Sequence, residues 1–127
     1  MTSRYNVAIL GASGLVGQRL QELLYDHPLF EVVAIAGSPN SVGLMHEEIE
    51  WRLDSRRPNY DILICSMSDI PDVDIAFSAL PNNVAEVVEP SLVARGIHVF
   101  SNASAFRRIA GIPLVIPEVN PEDMQSY

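Results

Sequence analysis

The segment Val7 to Leu20, VAILGASGLVGQRL, runs from a short apolar stretch through Gly11, Gly14 and Gly17 into residues with helical spacing. An apolar run bounded by glycine reads as a buried strand, here Asn6 to Leu10. Leu15, Leu20, Leu23 and Leu24 then recur at the period of a helix face, and the Asp-His-Pro at 26–28 ends that helix, because the residue before a proline is pushed out of the α region. A glycine loop between strand and helix is where dinucleotide-binding folds set a pyrophosphate on backbone N–H groups and the helix N-terminus. Each glycine has its own task. Gly11 permits the tight turn, Gly14 lets the backbone approach phosphate, and Gly17 lets helix and strand pack closely, while the Ser13 hydroxyl adds a donor. An ordinary strand-to-helix turn is the competing reading.

Further along, strands and helices alternate. Phe30 to Ala36 reads as a second strand, and Gly37 to Tyr60 as polar and irregular with a short helix around His46 to Leu53. Strand patterns follow at Asp61 to Cys65 and Asp74 to Ser78. The spacing predicts a helix over Asn83 to Ala94, with Val84, Val87, Val88 and Leu92 on one side, Gly96 at its end and a kink or break at Pro90. Ile97 to Ser101 and Leu114 to Ile116 complete the strands. This order implies an α/β, doubly wound, mostly parallel sheet of Rossmann-like type.

Composition narrows the functions. At 127 residues and 48% hydrophobic, the chain suits one globular domain with a core of its own. A formal net charge of −8 opposes generic nucleic-acid or anionic-membrane binding, so an anionic ligand must be held by local groups. Cys65 stands alone, no Cys/His cluster has zinc-ligand spacing, and no metal site is expected. The N-terminus lacks the apolar core of a signal peptide, no apolar run spans a bilayer, and a reducing cytoplasm is the expected location.

An NAD site usually carries Asp or Glu at the end of the second strand, but this chain has Ala36, Gly37 and Ser38 there. Ser38, Asn40 and Ser41 could instead donate to a 2′-phosphate, which favours NADP and leaves NAD possible. They supply no cation. Cys65, within an apolar strand pattern, reads as a packing residue and not a nucleophile. His27, His46 and His98 read as surface or packing residues, and Glu47, Glu48 and Glu50 as a solvated face.

Together, VAILGASGLVGQRL, DHPLFEVVAIAGS, DVDIAFSALP, GIHVFSNASAFRR and PLVIPEVNPE resemble the nucleotide-binding part of aspartate-semialdehyde dehydrogenase, in its archaeal and fungal branch. The resemblance implies NADPH-dependent reductive dephosphorylation of aspartyl 4-phosphate through a cysteine thioester, in amino-acid biosynthesis. It implies that Gly11, Ser13, Gly14, Leu15 and Val16 bind phosphate and that Ser38 with Ser41 bind the adenosine phosphate. Ser78, Leu80 and Pro81 correspond to the turn beside the nicotinamide, Asn102 to a cofactor contact near the active site, and Arg107 to the arginine that holds the substrate phosphate. An arginine guanidinium just beyond a strand end, on the crevice side of an open sheet, suits that role.

The chain departs from the family at Asn40, where arginine is common, and at Phe106, where histidine is. The family's Ser-Asn-Cys nucleophile motif has no counterpart here. Asn-Pro-Glu-Asp at 120–123 has the signature of a helix start, so a catalytic and dimerising C-terminal domain is expected to follow a dinucleotide-binding domain at 1–127. The fragment alone is expected to be inactive, and the full protein a homo-oligomer. Competing readings are a related reductase, of N-acetyl-glutamyl phosphate or malonyl-CoA, and a stand-alone nucleotide-binding module.

Overall fold

The computed structural model describes residues 4–101. Strands β1 (Tyr5–Leu10), β2 (Phe30–Ala36), β3 (Ile75–Ser78) and β4 (His98–Ser101) form one parallel sheet in the order β2-β1-β3-β4. Helix α1 (Leu15–Leu24) joins β1 to β2, and α2 (Asn82–Ala94) joins β3 to β4. From β1 the chain moves to one neighbour through α1 and later returns to the other side as β3. The strand order therefore reverses between β1 and β3, and a crevice opens beyond their C-terminal ends.

Strand alternation divides the core between the two faces. Val7, Ile9, Ile75 and Phe77 pack with Leu20 and Leu24 of α1. Phe77 meets Phe30 edge-on at 5.6 Å and stacks with Phe100 at 5.7 Å. On the other face, Ala8, Leu10, Ala34, Ala36 and Ala76 lie with Val88 and Leu92 of α2. Small residues in the strands let α2 lie close to the sheet.

Several local expectations need correction. Leu15 is 55% exposed and does not join the core, because it begins the helix over the crevice and not over the sheet. Val87 is 73% exposed, since it lies off the i, i+4 stripe of Val84, Val88 and Leu92 that packs on the strands. Helix α2 runs unbroken through Pro90. Pro90 and Glu86, whose carbonyl loses its helical partner, are both exposed, so water can satisfy that carbonyl.

The helix expected at His46 to Leu53 shrinks to a single 3₁₀ turn, His46–Glu48. Asp61 to Cys65 forms no ladder strand. Its hydrogen bonds are divided: Cys65 bridges Ala36 of β2, while Ile64 exchanges bonds with Gly43 and Leu44 on the opposite side. Asn102, Arg107, the strand expected at 114–116 and the helix start at 120–123 lie outside the described residues.

Candidate functional site

The crevice at the strand reversal is a cleft of about 1310 Å³. The turn after β1 is held by Gly11, whose N–H donates to Ala36 O at 2.9 Å and whose φ of +128° favours glycine. Across the reversal point, the Ala79 N–H donates to Leu10 O at 2.8 Å. A Cβ on Gly11 would lie only 3.3 Å from that of Ala79. These bonds fix the distance between the two walls.

Gly14 is the N-cap of α1, with no side-chain cap bond. Gln18 N–H makes the first helical bond, to Gly14 O at 2.9 Å, so the N–H groups of the preceding turn remain available to an anion. A Cβ added at Gly14 would meet no protein atom within 4 Å. Glycine there answers to no packing need of the protein, and the open space suits a close-approaching ligand. At Gly17 the reverse holds, because a Cβ would lie 2.0 Å from Gly11 O.

Of the residues singled out from sequence, Gly11, Ser13, Gly14, Leu15, Val16, Ser38, Leu80 and Pro81 line this cleft. Ser41 and Ser78 are buried and do not line it. Ser41 packs beneath Gly37 and donates its N–H to Ser38 O at 2.8 Å, shaping the turn that exposes Ser38. Ser78 ends β3 just before the lining residues Ala79 to Pro81, and its Oγ has no hydrogen-bond partner among the described residues. Asn102 and Arg107 fall outside those residues.

Gly37 lines the cleft at the end of β2, where a Cβ would come within 2.8 Å of Ile64 Cγ2 and 3.0 Å of Ser41 Cβ. An acidic side chain has no room at that position. Ser66, Met67 and Ser68 form the facing wall, with Ser66 Oγ and Ser68 Oγ 2.9 Å apart. Among the described residues that line the cleft, Arg52 carries the only charged side chain.

Arg52 reaches the cleft through a buried polar network that sequence reading missed. Gln18 and Gln21 are fully buried on the core-facing side of α1. The Gln18 amide donates to Glu50 O at 2.7 Å and accepts from Arg52 N–H at 2.8 Å. The Gln21 amide donates to Gly11 O and Ala12 O, each at 3.1 Å, which binds the helix to the loop before it. Its Oε1 must therefore accept from His46 Nε2, 2.7 Å away, and Tyr60 Oη donates to Gln21 O at 2.7 Å. The signal in the sequence was two amides on the apolar face of a helix, and buried amides are almost always hydrogen-bonded.

His46 is neutral here, with its proton on Nε2. Burial, aided by the Arg57 guanidinium, lowers its pKa from 6.5 to about 4. In the unfolded chain the imidazole takes up a proton near pH 6.5, whereas in the folded chain it does so only near pH 4. The associated stability is thus complete above pH 6.5 and lost as pH falls toward 4, at most about 3 kcal/mol in all. Urea midpoints should fall between pH 7.5 and 5, and His46→Gln should flatten that dependence; an unchanged slope in the variant would exclude His46 as the source.

Cys65 is half-buried, and its thiol pKa is raised chiefly by burial. That opposes thiolate formation and nucleophilic attack. Among the described residues, no cluster of His, Cys, Asp or Glu could hold a metal, and no helix is long and apolar enough to cross a membrane.

The profile of the family described as semialdehyde dehydrogenase, NAD binding domain, matches residues 6–127. An aspartate-semialdehyde dehydrogenase of Archaeoglobus fulgidus is 44% identical over 125 residues, covering 95% of this chain and 36% of the relative. One from Methanothermobacter thermautotrophicus is 47% identical over 122 residues, covering 92% and 35%. The crystal structure of the Candida albicans enzyme with NADP aligns with a TM-score of 0.75 at 36% identity, covering 97% of this chain and 36% of that one. The chain spans about a third of the length of these relatives.

Proposed function

Because the chain belongs to the semialdehyde dehydrogenase NAD-binding domain family, we propose that residues 1–127 are the dinucleotide-holding domain of an aspartate-semialdehyde dehydrogenase and take NADP(H), with NAD(H) as the weaker ligand. The observation that carries this reading is the open floor at Gly14, beneath free helix N–H groups at the strand reversal. The bound nucleotide would supply or accept hydride in the oxidoreduction of a semialdehyde. The residues of this chain bind and orient it.

In this assignment Gly11, Ser13, Gly14, Leu15 and Val16 surround the pyrophosphate, with N–H donors offset against its charge. Ser38 takes the adenosine ribose side, and Ser41 supports it from beneath. Leu80 and Pro81 press against the nicotinamide, and Ser78 braces their turn. Asn102 stands near the reacting centre, and Arg107 holds the substrate phosphate. Two features argue for NADP(H): the absence of a carboxylate in the described cleft lining, and the lack of room for one at Gly37. The complete enzyme's place is cytoplasmic amino-acid biosynthesis, with a catalytic and dimerising domain contributed by further chain.

Calorimetric titration of the 127-residue chain should show binding of NADP⁺, and more weakly of NAD⁺. No heat and no thermal shift with either at millimolar concentration would refute the assignment. The chain's one cysteine, Cys65, has a raised pKa, so no phosphate-dependent semialdehyde oxidation by this chain alone is expected. Robust turnover would show that chemistry does not need a separate nucleophile.

A further inference from the structure

We propose that Arg52 is the specificity residue that separates NADP(H) from NAD(H), by placing its guanidinium on the 2′-phosphate of the adenosine ribose. The inference rests on the nucleotide-binding reading above and adds a residue to it.

The end of β2 provides a neutral serine at Ser38 and bare backbone at Gly37. Hydroxyl and N–H donors suit a phosphate, yet a near-dianionic group in a protein of net charge −8 calls for a cation nearby. The segment after β2 carries none in the cleft lining: Pro39 and Val42 contribute apolar surface beside Ser38. Arg52 lies on the same cleft, contributed by a segment distant in sequence.

Three observations favour this arginine. First, most other described arginines are already engaged: Arg4 with Glu31, Arg19 with Glu22, Arg95 with Asp72, and Arg57 with His46 O. The Arg52 guanidinium makes no ion pair or hydrogen bond among the described residues and faces no carboxylate in the described cleft lining. Second, its backbone is fixed. Glu50 O and Arg52 N–H clasp the buried Gln18 amide at 2.7 and 2.8 Å, so the side chain departs from a position set by α1 itself. Third, α1 also sets the glycine loop, through Gln21 to Gly11 O and Ala12 O. Phosphate loop and arginine are thereby referenced to one rigid element, as discrimination between two phosphate-bearing ligands requires.

The planar donor fork of arginine can take two phosphate oxygens at once, which lysine does only as a point charge. The anchoring bonds use the backbone N–H, which any residue but proline retains, so truncating the side chain should leave the fold intact.

The test compares wild type, Arg52→Ala and Arg52→Lys by calorimetry with NADP⁺, NAD⁺, 2′,5′-ADP and 5′-ADP, together with thermal melts. In Arg52→Ala, NADP⁺ and 2′,5′-ADP should each bind about 10- to 100-fold more weakly. NAD⁺ and 5′-ADP should stay within about twofold on the same grounds, and Arg52→Lys should recover part of the loss. Equal weakening of all four ligands would place Arg52 on the pyrophosphate or make it structural, and would overturn the proposal. Unchanged binding of NADP⁺ would overturn it as well. If wild type bound none of the four, the nucleotide reading itself would fall and this inference with it.

Discussion

Gly17→Ala is expected to cost the domain about 3 kcal/mol or more, at or beyond the upper end of what overpacking usually costs. A Cβ at Gly17 would lie 2.0 Å from Gly11 O and 2.8 Å from Gly11 C. Neither atom belongs to a flexible side chain. Gly11 is held from one side by its N–H bond to Ala36 O and from the other by Gln21, which donates to Gly11 O. To relieve the clash, α1 must move off β1, which withdraws Leu20 and Leu24 from the core and strains the bonds from Gln18 and Gln21. For a domain of this size the melting temperature should fall by roughly 10 °C or more. A melt within 2 °C of wild type would show that the helix and strand are not in this contact.

Gly14→Ala should do the opposite: little to stability and much to binding. Gly14 has φ −80° and ψ 160°, which any residue adopts, and its Cβ position is open. Alanine caps a helix less well than glycine, but it lowers the entropy of the unfolded chain, and the two effects oppose each other at about 1 kcal/mol or less. The added methyl would occupy the space through which a pyrophosphate reaches the first-turn N–H groups. NADP⁺ and NAD⁺ should both weaken, by at least about tenfold, a loss of roughly 1.4 kcal/mol. Equal loss for the two nucleotides separates this site from Arg52, whose removal should affect NADP⁺ selectively. Undiminished calorimetric affinity in Gly14→Ala would remove the glycine loop from the binding site.

The pairing of these two glycines shows how much was legible beforehand. Their three-residue spacing between an apolar strand and an amphipathic helix carried both the element order and the location of the cleft. It also assigned Gly17 to packing and Gly14 to a ligand, and the space around each absent Cβ agrees: 2.0 Å to Gly11 O at Gly17, and no atom within 4 Å at Gly14. The periodicity of α2 was read correctly for Val88 and Leu92 and too broadly for Val87, which a helical stripe can include and the sheet does not cover. Asp61 to Cys65 had a strand's composition, yet its pairing is divided between β2 and the 43–44 turn, and composition carries no record of partners.

Of the residues lining the cleft, those next to strand ends were readable, since the C-terminal ends of parallel strands are where such folds place ligands. Ser66 to Ser68 and Arg52 were not. They reach the cleft from an irregular segment whose course follows no period.

By itself, then, the sequence determined the alternation of strand and helix, the parallel sheet and the glycine loop. Each is written in patterns a few residues long, in the spacing of apolar side chains and the backbone freedom of glycine. Tertiary structure alone decided that Gln18 and Gln21 would clasp a segment 25 to 39 residues away, bury His46 and bring Arg52 to the cleft. The reason is physical: a buried amide must find hydrogen-bond partners, but which distant carbonyls and N–H groups satisfy it is settled only when the chain has closed around it.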